Sequence, residues 1–245
     1  MKLTVIIPVF NEIQTIGKIV EDVLASEYDK EVIIIEDGSS DGTREFLRES
    51  QRAFAGVKVV FHEGNKGKTA AIRTALPYVT GDIVVIQDAD LEYSPGDYHD
   101  LVEPIRAGKA DAVYGSRFSH VNRHLFAWHW LQSRILQRPY EIRHLSHFLG
   151  TQFLNAVVFL LYGMRIGDVA TGLKAFRAPL IKSMKLRTDR FEFCYEITAK
   201  LLKSKAMLIE RSIGYHPRSS TEGKKITWMD GVWATLALLR FRFGN

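Results

Sequence analysis

Four short runs of apolar, largely β-branched residues recur along the first part of the chain, and this alternation constrains the fold more than any other feature. The runs are Leu3 to Val9, Val32 to Ile35, Val57 to Phe61 and Ile83 to Ile86. Each opens into a polar turn and then into a segment of helical period. Strands that are apolar without interruption are covered on both faces, as in parallel sheets. Within Ile13 to Ala25, the residues Ile16, Ile19, Val20, Val23 and Leu24 share one helical face. A second helix follows Asp41 and Thr43, either of which can cap it, and the pattern predicts a third from Thr69 to about Val79. Strand and helix in repetition predict an α/β fold with a doubly wound, mostly parallel sheet whose working loops lie along one edge.

The fourth run leads directly into Gln87-Asp88-Ala89-Asp90-Leu91-Glu92. On an extended chain Asp88, Asp90 and Glu92 would face one side. Gathered carboxylates repel one another unless a cation lies between them, and hard oxygen ligands suit Mg²⁺ or Mn²⁺. The competing reading is a solvated acidic turn. Position favours the metal, because open α/β sheets bind ligands at the carboxyl ends of their strands. Glu12 follows the first strand and Asp37 the second, so both would converge on the same edge. A nucleotide would fit there, with Asp37 accepting from base or ribose and a metal at Asp90 neutralising a diphosphate. Asp37 could instead only brace its own turn.

Several other chemistries are excluded. Gly67-Lys68-Thr69 lacks the earlier glycine of a phosphate loop, since position 62 is His. There is no G-x-G-x-x-G after the first strand, and no H-E-x-x-H or G-x-S-x-G. The histidines are scattered and read as surface or core residues. A single cysteine, Cys194, leaves no internal disulfide and no cysteine-rich zinc site. The chain of 245 residues, 46% hydrophobic and 25% charged, has room for one large domain and a modest appendage. Met1 leads straight into a strand with no apolar leader, which points to the cytoplasm.

The pattern changes after Asp111. A strand is expected at Ala112 to Tyr114, and a polar turn at Asp168 to Gly172. Another strand is expected at Glu210 to Tyr215, with helices over 125–136, 145–162, 191–202 and 226–243. Between Ala112 and Gly167 six arginines and five histidines face one acidic residue, Glu141, within a net charge of +5. Such a stretch suits phosphate, carried by nucleic acid, an anionic membrane or a lipid. No run is long and apolar enough to span a bilayer comfortably.

Taken in order, Val5 to Glu12, Glu36 to Thr43, Gly64 to Lys68 and Asp88 to Glu92 resemble the motifs of inverting family 2 glycosyltransferases of GT-A fold. Tyr114 to Phe118, Asp168 to Phe176 and Arg218 to Ile226 are similar to the dolichyl-phosphate mannose synthase branch and its bacterial polyprenyl-phosphate relatives. The resemblance covers most of the chain and implies a donor site in which Pro8, Phe10, Glu12 and Asp37 hold the nucleoside. Asp88, Ala89, Asp90 and Glu92 would serve the metal and diphosphate, with Lys225 or Arg218 as a further cation. Arg117 and Arg218 would meet an acceptor phosphate, while Glu196 or Glu192 would be the base if the acceptor were a hydroxyl.

The implied organisation is a GT-A domain over 1–225, with an acceptor- or membrane-facing helical segment at 118–165, and an amphipathic helix over 226–245. The implied reaction moves a sugar from a GDP- or UDP-sugar to a polyprenyl phosphate. It would use Mg²⁺ or Mn²⁺ at the cytoplasmic membrane face, with peripheral docking and no nucleic-acid partner. Transfer to a glycan hydroxyl is the alternative. A sugar-nucleotide pyrophosphorylase and a non-catalytic membrane partner stand further off.

Overall fold

The computed structural model describes residues 1–50, 54, 56–118, 145–189, 192–218 and 228–244. The helix expected over 125–136, Lys225 and most of the basic stretch lie outside those residues. All four expected amino-terminal strands form, as β1 (Leu3–Val9), β2 (Lys30–Glu36), β3 (Val57–Phe61) and β4 (Ile83–Ile86). With β5 (Ala112–Ser116), β6 (Lys174–Arg177) and β7 (Leu208–Ser212) they build one seven-stranded sheet in the order β3-β2-β1-β4-β6-β5-β7.

Strands β1 to β4 pair in parallel, as do β5 and β7, while β6 runs antiparallel between β4 and β5. The carboxyl ends of six strands and the amino end of β6 therefore share one edge. Glu12, Asp37, Gly64 to Lys68, Asp88 to Glu92 and Arg117 follow the carboxyl ends of β1 to β5 there, and Asp168 to Gly172 precedes β6.

The pleat sorts the apolar runs onto two faces. Ile6, Ile33, Ile35, Val84 and Ile86 pack with residues of α3 (Lys68–Ala75), α5 (Leu145–Tyr162), α7 (Phe193–Lys203) and α8 (Trp228–Phe243). Their neighbours Val5, Ile7, Val32, Ile34 and Val85 pack with α1 (Ile16–Ala25), α2 (Thr43–Ser50) and α4 (Tyr98–Arg106). Two cores, one on each side of a parallel sheet, are why β1, β2 and β4 carry consecutive buried apolar residues, at Val5 to Ile7, Val32 to Ile35 and Ile83 to Ile86.

Helix α3 is shorter than expected: Pro77 follows, and Leu76–Tyr78 tightens into a 3₁₀ turn. Strand β7 ends at Ser212, three residues early, and the following chain leaves the sheet toward the site. Helices α4 and α6 (Ala178–Ser183) and strand β6 were not expected. Helix α8 lies on α5 and α7, burying Ala234, Ala237, Leu238 and Phe241. Its outer face is apolar as well, with Val232, Trp233, Leu236, Leu239 and Phe243 exposed.

Candidate active site

The acidic segment does not continue β4. The strand ends at Ile86, residues 89–90 turn, and Leu91 takes a left-handed φ of 60°. This corrects the expectation of three carboxylates on one side of an extended chain. Gln87, buried and missed by sequence reasoning, ties the turn together. Its amide donates to the carbonyls of Asp88 and Tyr93 and its Oε1 accepts from Tyr98. Ala89 is buried in the core below.

Asp88 is ion-paired with Lys68 at the start of α3. Its other face rests on Gly172, where an added Cβ would lie 2.0 Å from Asp88 Oδ2, so only glycine allows this approach. Glu92 accepts from the Arg218 amide at 3.1 Å and the Tyr215 hydroxyl at 3.2 Å. It is a strut for the 215–218 segment. Among the described residues no three acidic, histidine or cysteine groups gather as a metal cage.

Asp37 is buried and highly engaged. It accepts from the amides of Lys66 and Gly67 and from His62 Nδ1 at 2.7 Å. The acceptor at Nδ1 fixes that nitrogen as the protonated one, and Nε2 meets Thr74 Oγ1 at 3.0 Å. Asp37 thus joins the loops after β2 and β3. Asp37 braces not its own turn but the loop after β3, and His62 is a core residue, one of the two places expected for the histidines. Pro8 lies on β1, whose carboxyl end leads through Phe10 to Glu12.

Arg117 follows β5 and is clamped by Asp168, which is fully buried. Asp168 accepts from the Arg117 amide at 3.1 Å and from its Nε and Nη2 at 2.7 Å each. Burial alone would depress the guanidinium, but the Asp168 carboxylate raises it well above its ordinary value. The Tyr215 ring lies 5.2 Å from the guanidinium. Beneath, Glu210 accepts from the amides of Gly167 and Asp168, and burial raises its carboxyl. Lys174 of β6, also fully buried, donates to the carbonyls of Val169 and Thr171 and sits 4.4 Å from the Tyr114 ring. The loop 168–172 is therefore held from below while its upper side meets both Arg117 and Asp88.

Arg218 bridges the site. Its guanidinium donates to Glu12 at 2.9 and 3.1 Å and to Asp90 at 3.1 Å. Glu196 is elsewhere: it is fully buried, accepts from the amides of Arg187 and Thr188 and the Thr188 hydroxyl, and pairs with Lys200. Thr188 meets Thr69 of α3 at 3.1 Å. Glu196 anchors the turn that seats α3, and its engaged lone pairs do not suit it to the base role expected for it.

The residues present fit a divalent cation. Asp88 and Asp90 are hard oxygen donors from one turn, as expected where Mg²⁺ is held by one or two carboxylates together with substrate phosphates. Asp90 is raised to about 7, first by burial and then by the charges of Asp88 and Glu92, against the lowering effect of Arg218. Burial and the two neighbouring carboxylates disfavour the charged form of Asp90 more than Arg218 favours it, a balance that a cation would reverse.

The sequence profile of glycosyl transferase family 2 matches residues 4–165. The UDP-N-acetylglucosamine–dolichyl-phosphate N-acetylglucosaminyltransferase of Methanococcus voltae is 30% identical over 98% of this chain and 96% of its own. The dolichol-phosphate mannosyltransferase of Pyrococcus furiosus is 26% identical over 92% of this chain but only 61% of its own. Among solved structures, glucosyl-3-phosphoglycerate synthase of Mycobacterium tuberculosis, in complex with Mn²⁺, UDP and phosphoglyceric acid, superposes with a TM-score of 0.71. It is 18% identical, over 100% of this chain and 79% of that one, a likeness of fold. The expected doubly wound sheet with its strand ends gathered at one edge is the observed one, and the ordered motifs coincide with a profile covering well over half the chain. The chain belongs to glycosyl transferase family 2.

Proposed function

We propose that the protein transfers a sugar, with inversion, from a nucleoside diphosphate sugar to a polyprenyl phosphate. The observation that carries this reading is the acceptor side of the site. Arg117 stands at the strand edge after β5, while Glu196 is fully engaged in a turn. A phosphate is anionic at neutral pH and needs no base to attack, whereas arginine is suited to hold it. The names of the Methanococcus and Pyrococcus relatives, both transferases acting on dolichyl or dolichol phosphate, support the same class.

In this reading Pro8, Phe10, Glu12 and Asp37 form the nucleoside side, with Asp37 using acceptor capacity beyond its loop contacts. Asp88, Ala89 and Asp90 form the diphosphate side, where Asp88 and Asp90 would hold Mg²⁺ or Mn²⁺. When bound, the ion would neutralise charge developing on the leaving diphosphate. Arg218 stabilises the same charge, and Arg117 orients the acceptor. Lys225 keeps its proposed place as a further cation of the donor site.

The test is incubation with UDP- and GDP-sugars, a polyprenyl phosphate and Mg²⁺ or Mn²⁺, then extraction of labelled lipid. Labelled lipid of inverted anomeric configuration is expected; label found only on an added glycan would overturn the acceptor. One observation favours that second reading. Glu192 Oε2 is buried with no hydrogen-bond partner among the described residues, as a base would be. Under the phosphate reading Glu192→Gln retains transfer.

The acceptor places the reaction at a bilayer, and no helix among the described residues is long and apolar enough to cross one. We assign the contact to α5 and α8, which pack together. They expose Leu149, Phe153 and Leu160 on one and Trp233, Leu236 and Phe243 on the other, with Arg240 and Arg242 in the last turn of α8. Apolar and basic groups together suit an anionic interface. Flotation with anionic vesicles should show salt-sensitive binding that Trp233→Glu with Leu236→Glu abolishes. No binding by the folded wild type at low salt would refute peripheral docking.

A further inference from the structure

The contacts of Arg218 have a consequence for how the donor enters. Its guanidinium lies between two carboxylates from different strand ends, Glu12 after β1 and Asp90 after β4, with three N–H···O contacts of 2.9 to 3.1 Å. The backbone behind it is fixed separately. Glu92 accepts from the Arg218 amide at 3.1 Å, and the His216 amide donates to the Glu92 carbonyl at 3.0 Å. The side chain can therefore swing while its root stays in place. Asp90 Oδ2, one of the oxygens offered to a metal, is the oxygen that Arg218 occupies, and Glu12, proposed for the nucleoside, is held by the same group.

We propose that the Arg218 guanidinium is a displaceable counter-ion of the donor site, excluding free divalent metal and passing to the diphosphate when metal and nucleotide enter together. The inference deepens the donor reading above and rests on it.

The exchange balances in charge. A free divalent cation at Asp90 must break the contact of Nη2 with Oδ2 and bring further positive charge beside a guanidinium that Glu12 still holds, with no new anion to receive the released N–H. A metal carried in by a nucleoside diphosphate supplies a new anion for Arg218 and a hydroxyl-bearing nucleoside for Glu12. The displaced group then keeps its charge-assisted bonds, in the fork geometry arginine makes with carboxylate and phosphate alike. Metal and nucleotide bind as one unit, and metal alone binds weakly. Lysine at this position would serve less well, because one ammonium cannot bridge Glu12 and Asp90 as the guanidinium does.

The test measures binding, without turnover. Mn²⁺ affinity is read by electron paramagnetic resonance on wild type, Arg218→Gln and Arg218→Lys, first with Mn²⁺ alone and then with UDP or GDP added. Loss of a charge-assisted contact changes affinity by about tenfold or more. The expected result is about tenfold tighter binding of Mn²⁺ alone by Arg218→Gln, with about tenfold weaker binding of Mn²⁺ and nucleotide together; Arg218→Lys falls between. Unchanged or weaker binding of Mn²⁺ alone by Arg218→Gln overturns the counter-ion role while leaving the metal site standing. If wild type binds no Mn²⁺ even with either nucleotide, the metal site itself fails, and this inference with it. Circular dichroism of each variant confirms that the comparison is between folded proteins.

Discussion

Asp168→Asn tests the clamp on Arg117 most directly. The substitution keeps shape and removes one charge from a fully buried carboxylate that receives three bonds from Arg117. Arg117 cannot escape by losing its proton, because its guanidinium is held well above an already high ordinary value, by Asp168 against burial. The variant therefore leaves a buried cation without its partner, which costs about 3–5 kcal/mol. Little solvent screening applies, since the side chains are 14% and 0% exposed.

Asparagine still offers one acceptor oxygen, so the lower end, about 3 kcal/mol, is expected. At about 2–4 °C per kcal/mol for a domain of this size, Tm should fall by about 6–12 °C. Urea unfolding of Asp168→Asn, Arg117→Met and the double variant measures it, and the double should lose less than the sum because the two sites are coupled. A loss under about 1 kcal/mol would refute the reasoning, since exposed ion pairs contribute that little. Under the acceptor role proposed for Arg117, acceptor KM should also rise more than donor KM.

Asp90→Asn should lower transfer by roughly a hundredfold or more while the fold survives; near wild-type rates in saturating metal would remove Asp90 from the site. Gly172→Ala should abolish most activity and lower Tm as well, because its Cβ would meet Asp88 Oδ2 at 2.0 Å and the buried Tyr93 ring at 2.9 Å, so that both side chains would have to move; wild-type activity in that variant would refute the close approach. Asp90 also sets a pH dependence. Its value in the fold is raised from 3.8 to about 7, so its contribution to stability is complete below the lower value and is lost as pH rises through the upper one. The metal-free protein should thus be progressively destabilised by this group across that window. Binding of Mn²⁺ with nucleotide requires the ionised form, so affinity by calorimetry should fall about tenfold per unit below about pH 7. A flat profile over that range would refute the assignment.

The residues by themselves determined strands β1 to β4 and the helices α1 to α3 between them. Strand β4 is isoleucine or valine throughout and β1 is apolar but for Thr4, which suits strands covered on both faces, and Ile16, Ile19 and Val23 can share a face only in a helix. The strand ends bearing Glu12, Asp37 and Asp88 followed from that alternation, as did the single edge on which they meet. Strand β6 did not, because Lys174-Ala175-Phe176-Arg177 carries no period of two and its central place comes from β4 and β5 on either side. Asp168 read as a turn residue, since nothing local links it to Arg117, 51 positions away. Glu92 and Arg218 likewise meet across 126 residues, and His62 finds Asp37 only because β2 and β3 are neighbours. Local pattern reports which residues must be buried and at what period. The partner of a buried charge is chosen by strand order and loop path, and only the tertiary structure brings those together.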